Sequence, residues 1–314
     1  MTDVLTVATY NLFQGAGLIP AYGAETLTEM TEALRQAYGR MVRTDFPGRA
    51  EAIAGQLAVH RPDVVGVQEV ARWQHGEQEY DFLEVLLAEL ARVGLPYRAV
   101  ATVIISTTAL HTGGEIVGLT DRVVLLVRAD VPAGRLAVGA SGQQIYTARI
   151  ELPVPSGLVV AKLRGWAWAD VEVGGRVVRI VTTHLEAFDG DIRLAQAQEL
   201  VDALDSCGLP AVVLGDFNAS PADQTYALLR KCGFRDAWTD VHADADGFTG
   251  LQSGTLDNDV SELYQRYDYI LHRAPGLATA SAALVGADVG SRLPSGLWAS
   301  DHAGVVATFG PAGG

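Results

Sequence analysis

Apolar residues fall along this chain in two rhythms: short runs of strand length, and longer stretches with apolar positions three and four apart. Residues 4–12 read as a strand in which Leu5, Val7 and Thr9 share one face with Asn11. Leu27, Met30, Leu34, Tyr38 and Met41 then mark a helix, and a second over residues 49–59 must stop before Pro62. Residues 63–67 form a short apolar strand that delivers Gln68 and Glu69 at its end, and another helix fits residues 80–92. Strand patterns cover residues 97–106, 121–128 and 144–152. The clearest hairpin follows: residues 166–173 alternate, Gly174-Gly175 supply the positive φ angles of a tight turn, and residues 176–184 return. Helices at 191–206 and 222–231 and strands at 211–214, 267–271 and 305–309 complete the map.

Hairpins mixed with crossover helices predict a mixed sheet rather than an all-parallel one. Two sheets packed together with helices outside would absorb this many strands. No repeat or Pro/Ser linker divides the chain, so residues 1–310 read as a single domain and residues 311–314 as a disordered tail.

Composition narrows the class. Apolar residues make up 49% and charged residues 19%, as in a globular protein. Lys and Arg number 23 against 37 Asp and Glu, for a net charge of −14, which counts against a broad basic groove for nucleic acid. Cys207 and Cys232 make no disulfide framework and have no His in zinc-ligand spacing. The N-terminal sequence has no basic start or long apolar core of a signal peptide, and no apolar run is long enough to span a bilayer, so a cytoplasmic location is the expectation.

Against this background, polar residues at the ends of apolar strands stand out. Asn11, Glu69, His184, Asp216 with Asn218, Asp268, and Asp301 with His302 all occupy such places. Each alone could be a turn former or a structural histidine; six strand ends carrying this set suggest one site, because ligand sites in α/β proteins gather where strands end. Asn11, Glu69 and Asp301 offer only oxygen, which suits a hard ion such as Mg²⁺ or Mn²⁺. Asp268 and His302 could form a carboxylate-oriented imidazole. Asn218 and His184 supply donors for a phosphoryl oxygen, and Asp216 is a second base or an orienter of the attacking water. No P-loop, GxSxG or HExxH motif is present.

The segments Tyr10-Asn11-Leu12, Pro62-Asp63-Val64-Val65-Gly66-Val67-Gln68-Glu69, Thr183-His184-Leu185, Gly215-Asp216-Phe217-Asn218, Tyr267-Asp268-Tyr269-Ile270 and Ser300-Asp301-His302 together resemble the endonuclease/exonuclease/phosphatase superfamily, the deoxyribonuclease-I-like fold. The resemblance runs from residue 7 to about residue 309. It implies a four-layer α/β sandwich, two packed mixed β-sheets flanked by helices, and metal-dependent hydrolysis of a phosphoester. By motif, Asn11, Glu69 and Asp301 would hold the metal, Mg²⁺ or in its place Mn²⁺. His302 paired with Asp268 would be the general base or acid, Asp216 and Asn218 would position the nucleophile, and His184 would donate to phosphate. Arg164 falls where relatives place a phosphate-contacting side chain. Trp166, which shares a strand face with Trp168, either stacks on a substrate ring or packs in the core.

Two departures matter. The signatures of inositol polyphosphate phosphatases are missing, since Gln265-Arg266-Tyr267-Asp268 stands where a WCDR-like segment would be. The stretch between Asn11 and Glu69 is also longer than in compact family nucleases. Its extra residues, about 14–46, form either a wall over the site or a helix packed on its rim. The leading expectation is a Mg²⁺-dependent phosphomonoesterase or phosphodiesterase acting on a small or locally recognised substrate, with no protein partner evident. The alternatives are a DNA or RNA nuclease, a lipid-headgroup phosphodiesterase, and a catalytically silent binding protein on the same fold.

Overall fold

The computed structural model describes residues 4–112, 115–154 and 158–311. In chain order its elements begin with β1 (Leu5–Asn11), α1 (Ile19–Tyr22), α2 (Leu27–Arg43), α3 (Phe46–His60), β2 (Val64–Gln68), β3 (Arg72–His75), β4 (Gln78–Asp81) and α4 (Phe82–Arg92). They continue with β5 (Tyr97–Thr112), β6 (Glu115–Arg128), β7 (Leu136–Ile145), β8 (Ile150–Val154), β9 (Leu158–Lys162), β10 (Gly165–Val173) and β11 (Arg176–His184). The last are α5 (Gly190–Cys207), β12 (Ala211–Asp216), α6 (Gln224–Lys231), β13 (Arg235–Asp236), α7 (Ala237–Val241), β14 (Asp268–Arg273), β15 (Leu277–Val285) and β16 (Gly304–Pro311).

Two mixed sheets result, beside a separate two-stranded ribbon of β8 and β9. One runs β15-β16-β1-β2-β6-β3-β4 with β5 on β6, and the other runs β13-β14-β12-β11-β10-β7. The β1–β2 and β11–β12 pairs are parallel, because α3 and α5 carry the chain across between them. Leu5, Val7, Val64 and Leu125 of the first sheet meet Ala167, Val171, Ile180, Val212 and Ile270 of the second in a buried core. The opposite face of the first sheet packs under α2, α3 and α4, and that of the second under α5 and α6. The four layers are therefore helix, sheet, sheet, helix, as expected. Among the described residues, no helix is long and apolar enough to cross a membrane.

The two-residue side-chain period of a strand sets up the site. Residues on the inter-sheet faces are apolar over most of each strand and turn polar toward one end, where they become Thr9 and Asn11, Gln68, Thr182 and His184, Asp216, and Asp268. Thr9 Oγ1 donates to Gln68 Oε1 at 3.2 Å, and Gln68 Nε2 donates to Thr182 Oγ1 at 2.9 Å, so a buried polar chain links the sheets beneath the site. Gly66 makes this approach possible, since a Cβ there would lie 2.5 Å from Thr182 Oγ1.

Several elements differ from the sequence expectation. The 144–152 strand is two: β7 ends at Ile145 and β8 starts at Ile150, because Tyr146 leaves the sheet to bury its ring against Trp166. Tyr80 lies in the β3–β4 hairpin rather than in a helix; Asp81 stops the strand and caps α4 by accepting from Leu83 N at 2.8 Å. Strand β15 and helix α7 had no recognised pattern; β15 reads Leu-Ala-Thr-Ala-Ser-Ala-Ala-Leu-Val, with too few large apolar residues to announce a strand. Pro311, assigned to the tail, pairs with Leu277 at the end of β16, and residues 312–314 lie outside the described residues.

Candidate active site

Asn11 and Glu69 arrive together because β1 and β2 pair in register, Asn11 opposite Gln68. Glu69 takes a left-handed conformation (φ 53°), which turns its carboxylate back over the strand end. There Glu69 Oε1 accepts from Asn11 Nδ2 at 3.3 Å and Oε2 from the Gln14 backbone N–H at 2.8 Å. Asn11 Nδ2 also donates to Asp216 Oδ2 at 3.0 Å, which joins the sheets across the floor of the site.

The second sheet brings His184, Asp216 and Asp268 side by side, with His184 opposite Asp216 and Asp216 opposite Asp268. Gly215 lets β12 lie close on β11, since a Cβ there would run into the Thr183 carbonyl. Asp216 Oδ2 lies 3.4 Å from His184 Nε2 and 3.9 Å from His302 Nε2. Asp268 Oδ2 sits 2.7 Å from His302 Nδ1, so the expected carboxylate–imidazole pair is formed. Asn218, also left-handed (φ 49°), donates its backbone N–H to Asp216 Oδ1 at 2.9 Å and its side-chain amide to the Leu185 carbonyl at 3.0 Å. Asp301 and His302 enter from the loop before β16, which Ser300 ties to the first strand by donating to the Asn11 carbonyl at 2.7 Å.

These groups border an open cleft of about 830 Å³, counting the solvent in its mouth. Glu69, Arg164, His184, Asp216, Asn218, Asp301 and His302 line it, whereas Asn11 and Asp268 lie directly behind as supports. Gln14, Gly17, Leu18, Ile19 and Tyr22 form one wall, so the front of the 14–46 stretch borders the cleft while α2 packs over the first sheet. Trp166 does not reach it. Ala167, Ala169 and Val171 face the sheet interface, so the alternation of β10 turns Trp166 outward into the core under α5, and its assignment as a substrate contact is corrected.

The cleft also contains residues that the sequence reading missed. Lys162 and Asp121 line it, and Glu186 lies buried behind Arg164, its Oε2 3.4 Å from Arg164 Nε and its Oε1 3.9 Å from Lys162 Nζ. Lys162 stands two positions before Arg164, a same-face spacing that could have flagged a cationic pair. Arg49 of α3 is fully buried behind the acidic end. Its guanidinium donates to the carbonyls of Thr44, Leu12, Phe13 and Ala299, which pins the loops leaving β1 and approaching Asp301. Nothing local in the sequence marks it.

Electrostatics divide the cleft. Burial, reinforced by neighbouring Glu69, raises Asp301 and Asp121 each to about 7, and burial with Asp268 raises Asp216 to about 6. Burial opposes a charge on His302, but Asp268, Asp216 and Asp301 outweigh it and hold the imidazole well above its ordinary value. His184 is pushed the other way by burial and by the cations Arg164 and Lys162. Burial, with Arg164 adding to it, brings Lys162 down to about 8.

This acid-rich end suits a divalent cation. Buried carboxylates crowd there at raised pKa, and Asp268 Oδ1 and Asp121 Oδ1 are buried with no hydrogen-bond partner. Glu69 and Asp301 offer only oxygen, as a hard ion requires, while the buried Asn11 has its Oδ1 accepting from the Phe13 backbone N–H at 3.0 Å and its amide turned to Glu69 and Asp216. A second grouping, Asp216, Asp268 and His302, brings one ligand atom of each within 4.8 Å of the others, although His302 Nδ1 is already engaged by Asp268 there.

A two-sheet sandwich with its polar cleft at the strand ends defines the class. Residues 8–302 match the Endonuclease/Exonuclease/phosphatase family, and the chain belongs to that family. Solved structures share the fold across the chain. The mannosyl-6-phosphatase Bt3783 of Bacteroides thetaiotaomicron superposes with a TM-score of 0.61 at 20% identity, covering 97% of this chain and 99% of that one. The human Nocturnin catalytic domain with bound sulfate gives 0.58 at 18% identity, over 99% and 96% of the two chains. In sequence, Nocturnin of Xenopus laevis is 29% identical over 154 residues, which span 43% of this chain and 37% of that protein.

Proposed function

We propose that the chain is a metal-dependent phosphoester hydrolase acting on a small or locally recognised substrate. The observation that carries this reading is the meeting of the His302–Asp268 pair, Asp216 and the Lys162–Arg164 cations around one cleft. A Mg²⁺ ion held by Glu69 and Asp301, with Asn11 supporting Glu69 from behind and Mn²⁺ as the other hard ion that fits, would polarise a phosphoryl oxygen and offset the carboxylate charge. Arg164, Lys162 and His184 face the phosphoryl group from the other side. Arg164 and Lys162 bring positive charge, and neutral His184 brings a hydrogen bond. Asn218 fixes the Asp216 carboxylate through its backbone N–H. Asp216, raised to about 6, is suited to accept the proton of the attacking water. His302, kept protonated by Asp268, is suited to donate to an oxygen of the pentacovalent phosphorus. Water oxygen bonds to phosphorus, the ester P–O bond opposite it breaks, and the leaving oxygen is protonated at the open mouth.

The reading is tested by assaying p-nitrophenyl phosphate, bis-p-nitrophenyl phosphate, sugar phosphates, nucleotides, RNA and plasmid DNA with Mg²⁺ and with EDTA. Turnover of small esters that EDTA abolishes is the expected result. Cleavage confined to polynucleotide would support the nuclease alternative, and silence across metals and substrates would favour a binding protein on this fold.

A further inference from the structure

Beside the cationic wall, the cleft opens into a second recess of about 700 Å³, again counting the solvent in its mouth, that the proposed chemistry does not use. Among the described residues Ile19, Tyr22, Gly23, Ile150, Lys162 and Phe188 line it, so its walls there are hydrocarbon and aromatic ring apart from the Lys162 ammonium and the Tyr22 hydroxyl, which is engaged with Thr108. Ile19, Tyr22, Lys162 and Phe188 border the recess and the cleft alike, which makes the two spaces continuous. Ile19 is 64% exposed and Phe188 65%, which is unusual for large apolar side chains beside a polar cleft.

The walls are also held in place. Glu186 Oε1 accepts the backbone N–H groups of Ala187 and Phe188 at 2.9 and 3.0 Å, so the carboxylate that pairs with Arg164 also sets the Phe188 loop. Lys162 Nζ lies 4.4 Å from the Phe188 ring centre, and the Tyr22 hydroxyl is 3.3 Å from Thr108 Oγ1. The same lysine therefore stands where a phosphoryl group would bind and where the apolar recess begins.

We infer that this recess receives the alcohol portion of the substrate, and that this portion is apolar, a ring or short alkyl chain on a soluble phosphoester. The inference rests on the phosphoester reading and narrows it. A sugar or polyhydroxylated arm would lose water against Ile19, Ile150 and Phe188, and among the described residues only Lys162 and the Tyr22 hydroxyl, itself engaged with Thr108, could replace its several hydrogen bonds. An apolar arm gains from the same burial.

Binding of a matched pair of non-hydrolysable anions to the full chain, measured by calorimetry with Mg²⁺, tests this without requiring turnover. Benzylphosphonate should bind roughly tenfold more tightly than 2-hydroxyethylphosphonate, the gain expected from burying part of a ring. Ile19→Ser and Phe188→Ser should each pull that ratio to within roughly threefold, whereas Val59→Ser, on exposed α3 surface, should leave it intact. Equal affinities, a ratio that survives both substitutions, or no binding of either anion would overturn the inference. Benzyl phosphate and glycerol phosphate hydrolysis, run in parallel, separates the two proposals. Discrimination by the phosphonates without hydrolysis of either ester would refute the hydrolase and keep the recess. Hydrolysis of both esters at equal efficiency, with equal phosphonate affinities, would do the reverse.

Discussion

His184 and His302 flank the same carboxylate, that of Asp216, and differ in almost everything else. His302 stands at the acidic end, with Nδ1 on Asp268 and two further carboxylates near, and its charged form is favoured. His184 stands at the cationic end, beside Arg164 and Lys162, with Nδ1 buried and unpartnered, and its neutral form is favoured. Identical side chains at similar depth are thus pushed toward different charge states, one cationic and one neutral, by their neighbours. Pairs of titratable groups pushed apart in this way are how one site can offer both a proton acceptor and a donor near neutral pH. The acidic end suits cation binding and proton transfer, and the basic end suits holding an anion.

The contrast between the two ends makes four predictions. Removal of the acidic-end imidazole should have the largest effect: His302→Ala should lower kcat on a p-nitrophenyl ester by about a hundredfold or more. Far-ultraviolet circular dichroism should be unchanged, and a kcat within a fewfold of wild type would end the assigned role. Asp268→Asn should move in the same direction.

Arg49→Met acts behind the acidic end. It leaves four backbone carbonyls without their donor and should cost on the order of 3 kcal/mol of stability in urea denaturation. Mg²⁺ affinity by calorimetry should fall as well, because the loops bearing Asn11 and Asp301 lose their tie. A variant as stable as wild type would show that water replaces the guanidinium.

At the basic end, Arg164→Met should weaken inorganic phosphate binding roughly tenfold, the worth of one charge-assisted hydrogen bond. It also strands the buried Glu186, so stability should drop; adding Glu186→Gln should recover stability without recovering phosphate affinity. Recovery of both would make Arg164 a structural partner of Glu186 alone.

The smallest effect is one of pH. Lys162 is brought down to about 8 by burial and by Arg164, so its charged form is present below that pH and is lost as pH rises through it. Phosphate affinity should decline by about severalfold between pH 7 and 9, and Lys162→Met should flatten the decline. A slope unchanged by that substitution would assign the titration elsewhere.

Much of this arrangement was legible in the chain because strands are local. A two-residue period with an apolar run behind it locates Asn11, His184, Asp216 and Asp268 at strand ends facing one side, and the left-handed Glu69 and Asn218 follow directly. Trp166 stays undecided in the sequence for the complementary reason: alternation assigns it to a face, but which face meets the other sheet depends on packing. Arg49, Glu186 and Asp121 carried no local mark at all. Arg49 looks like one polar position on an ordinary helix, and only α3 lying across the ends of β1 and the Asp301 loop makes it a buried clamp.

The order of most strands and helices, the oxygen-rich polar residues at strand ends and the excess of acid over base followed from the chain itself, since propensity, periodicity and residue chemistry act over a few neighbouring positions. Tertiary structure alone decided which histidine's charged form is favoured, which cations line the cleft, and that an apolar recess adjoins them. These properties arise from groups distant in sequence meeting where water is excluded, and there burial and the nearest charges, rather than residue type, set the free energy of each ionised form.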